Sequence, residues 1–247
     1  MFRTFFLFIL LFATPTAFAQ KQKTVKAQLT EHTIVKDTAG NVVPAGIWQQ
    51  LVRNSSYTLY PVDASIENSD FVIRHLTETE KAAMLDRMPR PRESKFFRTG
   101  KPFGAFEDKD LNGNAYNIND LKGKVVVINF WFINCPPCRM EIPELNALVE
   151  KYKGRDEVVF LAVALDARQQ LLEFLQMMPF KYNVIADGRY VARKFGVSAF
   201  PTHVVVDKAG LVKFHTAGLA RNTVHWVQKS IDEALAQPAT AAIAASH

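Results

Sequence analysis

Apolar and polar positions change rhythm near residue 100. Downstream, long apolar runs alternate with helical periods. Residues 125–132 (VVVINFWF) and 158–165 (VVFLAVAL) are nearly continuous apolar runs, as strands buried on both faces of a sheet require. Between them Ile142, Leu145, Leu148, Val149 and Tyr152 recur at the spacing of a helix docked on that sheet. Residues 168–178 repeat the helical period, 182–186 predict a short strand and 190–195 a short helix. Two further strands, 202–206 and 211–215, flank the turn Asp207-Lys208-Ala209-Gly210 as a hairpin. Asn222 is placed to cap a last helix ending at Ala236. Leu111-Asn112-Gly113-Asn114 predicts a hairpin-type turn ahead of all these.

Upstream the texture is irregular. Residues 38–41 predict a turn, and 57–62 alternate as a strand would. Thr77 and Glu80 have capping-box spacing at the start of a helix running to Met88. Pro89-Arg90-Pro91-Arg92 then breaks the pattern and reads as a linker. The division expected is a signal peptide (1–19), an accessory region without a legible function (20–99), an α/β domain (100–236) and an Ala-rich flexible tail (237–247).

The first segment rests on its own pattern. Arg3 precedes an apolar run ended by Pro15, and Ala17-Phe18-Ala19 places small residues where a signal peptidase reads, with cleavage before Gln20. A retained membrane anchor is the competing reading, but the run is short for a bilayer. An exported, periplasmic protein is expected. Composition agrees with a folded domain: 247 residues, 48% hydrophobic and 22% charged. The net charge of +6 is scattered rather than massed in a Lys/Arg block among aromatics, which argues against a nucleic-acid partner.

Both cysteines of the chain lie in Cys135-Pro136-Pro137-Cys138, between the 125–132 strand and the following helix. Two cysteines two residues apart at a strand-to-helix junction form a dithiol/disulfide redox centre. A static disulfide would close too small a ring to constrain the unfolded chain much. Structural zinc takes about four ligands, and no second Cys pair or spaced His supplies them, so no metal is expected. The histidines, His203 included, are dispersed and read as core or surface residues.

Strand 125–131, the stretch Cys135-Pro136-Pro137-Cys138-Arg139-Met140-Glu141-Ile142-Pro143, and Gly196-Val197-Ser198-Ala199-Phe200-Pro201-Thr202 together resemble the exported TlpA/ResA-like thiol-disulfide oxidoreductases of the thioredoxin superfamily. The resemblance covers about 101–236. It implies a thioredoxin-like fold, with a central mixed sheet flanked by helices, preceded by the small accessory region. It also implies an extra strand and helix between Cys138 and Pro201. Cys135 is then the nucleophile, favoured as thiolate at a helix N-terminus, and Cys138 the resolving thiol. Glu141, one turn beyond Cys138, takes and returns its proton, a role the resemblance supports. Asn129 stands where plain thioredoxin has a buried Asp and cannot shuttle a proton, which leaves that work to Glu141.

Pro201 matches the cis-proline facing the pair, and would expose the Phe200 backbone to an extended substrate. Trp131 is expected to pack beside the pair and limit access, or to sit in the core. Pro136 and Pro137 each remove an N–H from the first helical turn. The remaining donor nearest Cys135 is the Cys138 amide, so a less stabilised thiolate and a more reducing couple are expected. The function implied is a disulfide reductase of exported proteins, apocytochrome c among them, fed by a membrane thiol donor and needing no cofactor beyond its dithiol. Two other classes stay open: a Cu(I) metallochaperone, which would use a wider Cys spacing and a ligand His, and a peroxiredoxin-like peroxidase, which needs a Thr and an Arg at its cysteine.

Overall fold

The computed structural model describes residues 27–53 and 56–237, and the expected signal peptide and residues 238–247 of the tail lie outside that range. The chain divides into two compact units at Leu76/Thr77.

In the first unit a three-stranded sheet of order β1-β3-β2 is built from β1 (Val35–Lys36), β2 (Tyr57–Pro61) and β3 (Phe71–His75). Helix α1 (Ala45–Arg53) joins β1 to β2. Val35, Phe71 and Ile73 are its buried centre, with Trp48, Leu51 and Leu59 packed on them. The turn expected at 38–41 is organised by Asp37, whose Oδ1 accepts from the Ala39 and Asn41 amides at 2.9 and 2.8 Å.

The second unit opens at Thr77 rather than at residue 100, because the stretch read as a linker is pinned to the sheet behind it. Helix α2 (Glu78–Arg87) starts on the expected capping box: Thr77 Oγ1 accepts from the Glu80 amide, and Glu80 accepts from the Thr77 amide. After it, Arg92 O accepts from Thr216 Oγ1 (2.8 Å), and Ser94 N donates to His215 Nδ1 (3.1 Å). Asn222 Nδ2 reaches Leu85 O and Pro89 O at 3.4 and 3.1 Å. Asn222 thus holds the N-cap position of the last helix without capping it through its side chain. Sequence marks a proline-rich break there, but pairing across more than 120 positions leaves no local trace.

A hairpin of β4 (Glu107–Lys109) and β5 (Ala115–Asn117) turns through the expected 111–114 segment, and a short 3-10 turn, Ile118–Leu121, follows. The central sheet comes from β6 (Val125–Trp131), β7 (Val158–Ala164), β8 (Asn183–Ile185), β9 (Thr202–Val206) and β10 (Val212–Ala217), in the order β10-β9-β6-β7-β8. Strands β6, β7 and β8 are mutually parallel, while β9 runs antiparallel to both β6 and β10. This is the mixed sheet expected.

Helices α3 (Pro136–Lys151), α4 (Arg168–Met177), α5 (Arg189–Lys194) and α6 (Thr223–Ala236) complete the unit. Because side chains alternate along a strand, β6 feeds two cores. Val125, Val127 and Trp131 join Leu145 and Leu148 of α3 and Val227 and Ile231 of α6. Val126, Ile128 and Phe130 join Val191 of α5 with Phe103 and Phe106. Every residue of β6 is buried, which accounts for a run that is apolar except at Asn129. No helix among the described residues is long and apolar enough to cross a membrane.

Candidate active site

Strand β6 delivers the chain to the site at its C-terminal end. The Phe132–Asn134 turn is held by the Ile133 amide, which donates to Asp166 Oδ2 at 2.7 Å, and by the Cys135 amide, which donates to Phe132 O at 3.3 Å. Cys135 is then the N-cap of α3, in extended backbone conformation. Cys135 and Cys138 form a disulfide with a Cα–Cα separation of 5.3 Å. Both residues are buried, Cys135 at 3% and Cys138 at 1% exposure, while Pro136 stands in solvent and Pro137 is half-buried.

Pro136 and Pro137 fill the first two helical positions, where a missing N–H costs the helix nothing. The consequence falls on the sulfur. A side chain at the N-cap accepts from the second or third helical amide, and here only the third has a proton to give. The Cys138 amide donates to Cys135 Sγ at 3.3 Å. The helix then runs on through Pro143, which leaves the carbonyl four residues back without its helical donor.

The Phe200–Pro201 peptide is cis. Pro201 is buried and its carbonyl accepts from the Gly218 amide at 2.8 Å. The half-buried Phe200 ring meets Phe132 edge-on, with centroids 5.4 Å apart, so the Pro201 loop lies against the turn leading into Cys135. Trp131 lies in the core beside the pair. It is wholly buried, between Phe174 (5.7 Å) and Phe180 (5.4 Å), in the core that also holds both cysteines. Its two expected settings, beside the pair and in the core, coincide, because Trp131 is the last β6 residue on the face covered by α3.

Glu141 is 2% exposed, one turn beyond Cys138 and on the same side of α3. It is not alone. The β6–β9 register sets Asn129 opposite His203, and both side chains meet Glu141. His203 Nε2 lies 2.9 Å from Glu141 Oε1 and Asn129 Nδ2 lies 3.4 Å from it. Burial first, and then the charge of Glu141, push the Tyr182 phenol well above its ordinary range. His203, read from sequence as a core or surface histidine, is a core residue whose ring meets Glu141. The signal was present in the pattern: Asn129, Glu141 and His203 are polar residues at positions whose neighbours at strand or helix spacing are apolar.

A disulfide-forming pair at the junction of a central strand and its helix, on a mixed five-stranded sheet with a cis-proline loop beside it, defines a dithiol–disulfide exchange protein of thioredoxin type. The model of the AhpC/TSA family matches residues 99–215. ResA, a thiol-disulfide oxidoreductase of Halalkalibacterium halodurans, is 29% identical over 129 residues, covering 51% of this chain and 73% of the relative. ResA of Bacillus thuringiensis is 36% identical over 117 residues, covering 46% and 66%. Among solved structures, a Chlorobium tepidum protein proposed to be the thiol:disulfide interchange protein DsbE aligns with TM-score 0.52 and 28% identity, over 56% of this chain and 99% of that one. The chain is a thiol-disulfide oxidoreductase of thioredoxin-like fold, similar to the ResA proteins.

Proposed function

We propose that the chain works as a disulfide reductase on exported proteins. The observation that carries this direction is the proline pair: with Pro136 and Pro137 at the first two helical positions, the first turn of α3 offers Cys135 Sγ one amide, that of Cys138, at 3.3 Å. A thiolate stabilised by few donors is a strong nucleophile and a poor leaving group, and both properties favour giving electrons away.

Starting from the dithiol, Cys135 gives its proton to water and its thiolate Sγ attacks a substrate disulfide. One Cys135–substrate S–S bond forms, and the other substrate sulfur leaves as a thiolate that takes a proton from water. Cys138 then gives its proton to Glu141, attacks Cys135 Sγ, closes the disulfide described above and expels the second substrate sulfur as a thiolate, to which Glu141 returns the proton. Two electrons pass from the pair to the substrate. A thiol donor, here assigned to the membrane, returns them. The extended substrate segment runs along the Phe200 backbone at Pro201, over Pro136 and Pro137. The Ala17-Phe18-Ala19 pattern supports action in the periplasm, and disulfides persist there. Apocytochrome c, which must be reduced before haem attachment, is the client class assigned.

The test is the reduction potential of the Cys135–Cys138 pair, measured by equilibration with dithiothreitol or glutathione buffers. A value close to that of thioredoxin, about −270 mV, is expected. A value close to about −120 mV, the range of strong oxidants, would make the protein a disulfide donor and overturn the reading.

A further inference from the structure

The two oxygens of Glu141 have unlike settings. Oε1 meets both His203 Nε2 and Asn129 Nδ2, at 2.9 and 3.4 Å. Oε2 is buried without a hydrogen-bond partner, as are His203 Nδ1 and Asn129 Oδ1. All three side chains are at most 2% exposed. A buried N–H with no acceptor is costly, so the His203 proton belongs on Nε2, facing the carboxylate. The alternative tautomer would leave an N–H at Nδ1 unmet and would need a proton on Glu141 to fill the 2.9 Å contact.

We infer that His203 is a positioning residue for the exchange reaction: its Nε2–H, donated to Oε1, holds Glu141 as a carboxylate and leaves Oε2 as the oxygen that takes the proton of Cys138. This rests on the proton-accepting role of Glu141 proposed above and adds the group that makes it possible. A wholly buried carboxylate without donors takes up a proton and can no longer accept one. A charge-assisted hydrogen bond from an imidazole opposes that. When Cys138 gives its proton to Oε2, the imidazole stays neutral, so no net charge is created beyond the one that moves to Cys138 sulfur. The groups facing this cluster are Asn129 from β6, Thr216 opposite His203 on β10 and Tyr182 ahead of β8, with Cys138 one turn before Glu141 on α3. Helix α6 gives the same core Val227, Ile231 and Ala234. Two cations lie over rings of this core, Arg139 over Phe174 and Arg90 over Phe214.

The reduced full chain is mixed with one equivalent of 5,5′-dithiobis(2-nitrobenzoate). The first aryl thiolate released reports attack by Cys135, and the second reports closure by Cys138. For His203→Phe, closure is expected to slow about tenfold at neutral pH relative to attack, with its pH midpoint moved upward. His203→Gln, which keeps a donor and cannot titrate, is expected to recover most of the loss. Closure at the wild-type rate in His203→Phe overturns the assignment, and so does equal slowing in both variants with an unmoved midpoint. Glu141→Gln separates the two proposals: if it closes normally, the role of Glu141 fails first, whereas slow closure there with normal closure in His203→Phe removes only His203. Should neither His203 variant fold, nitrogen NMR of the wild-type ring decides. An Nε2–H tautomer is expected in the oxidised protein, and an Nδ1–H tautomer or an imidazolium at neutral pH overturns the inference.

Discussion

Cys135 Sγ sits at a helix start where one of its two usual donors is missing, and this is testable at a single residue. Pro137→Ala restores an N–H at the second helical position, from which an N-cap side chain commonly accepts. One added charge-assisted hydrogen bond, worth roughly 1.4 kcal/mol or more, should lower the pH midpoint of Cys135 alkylation by about one unit. The potential should rise by about 30 mV for the same free energy. An unchanged alkylation profile would mean that the new amide does not reach the sulfur. At this scale the sequence was informative about residues whose role depends on neighbours in the chain: Cys135, Cys138, the prolines between them, and Glu141 one turn on. It marked His203 as a polar residue in an apolar strand but did not give its partner, 62 positions away, because only the strand register brings the two together.

The elements divide by how they are stabilised. Helix α2 begins on a capping box that two residues, three apart, specify completely, and it was legible for that reason. Thr77→Ala should cost about 1 kcal/mol, read as a lower urea midpoint at constant slope. Strands β6 and β7 were legible because burial on both faces leaves almost no polar position in them, Asn129 of β6 being the exception. The start of α5 depends on a contact that no pattern shows. A Cβ on Gly188 would collide with Val163 Cγ1 and would lie 2.9 Å from Ala164 O, while the Gly188 amide donates to that same carbonyl at 2.8 Å. Backbone on one side cannot yield, so Gly188→Ala is expected to destabilise by roughly 1–3 kcal/mol, again by urea unfolding. A neutral result would require β7 to shift away from α5.

Over the second unit as a whole, the segment between α2 and β4 behaves as a strap rather than a spacer. Its centre is the buried contact of Ser94 with His215 on β10, where the Ser94 amide needs an unprotonated Nδ1. Burial pushes His215 below its ordinary value, Arg90 adds to this, and Glu93 opposes it. The sign follows from linkage. As pH falls below about 6.5, the unfolded chain takes a proton on this ring before the folded one does, so stability is lost on the acid side. Urea unfolding of the full chain at stepped pH should show that loss, and His215→Asn should flatten its slope while lowering stability at pH 7. An identical slope in the variant would place the acid sensitivity elsewhere. The fold class was readable from the alternation of runs and periods after residue 100. The true start of the unit was not, since prolines announce where a helix stops and say nothing of what the chain beyond them binds.

In the proposed reaction Cys135 Sγ is the attacking atom, and in the fold it is the acceptor that terminates α3. Each catalytic cycle therefore swaps the helix's end group, from a disulfide sulfur, a weak acceptor, to a thiolate, a strong one. The Cys138 amide proton is a built-in reporter of that swap. Its exchange with deuterated solvent should slow when the pair is reduced and ionised, so one backbone proton reads the oxidation state of the protein without any added probe.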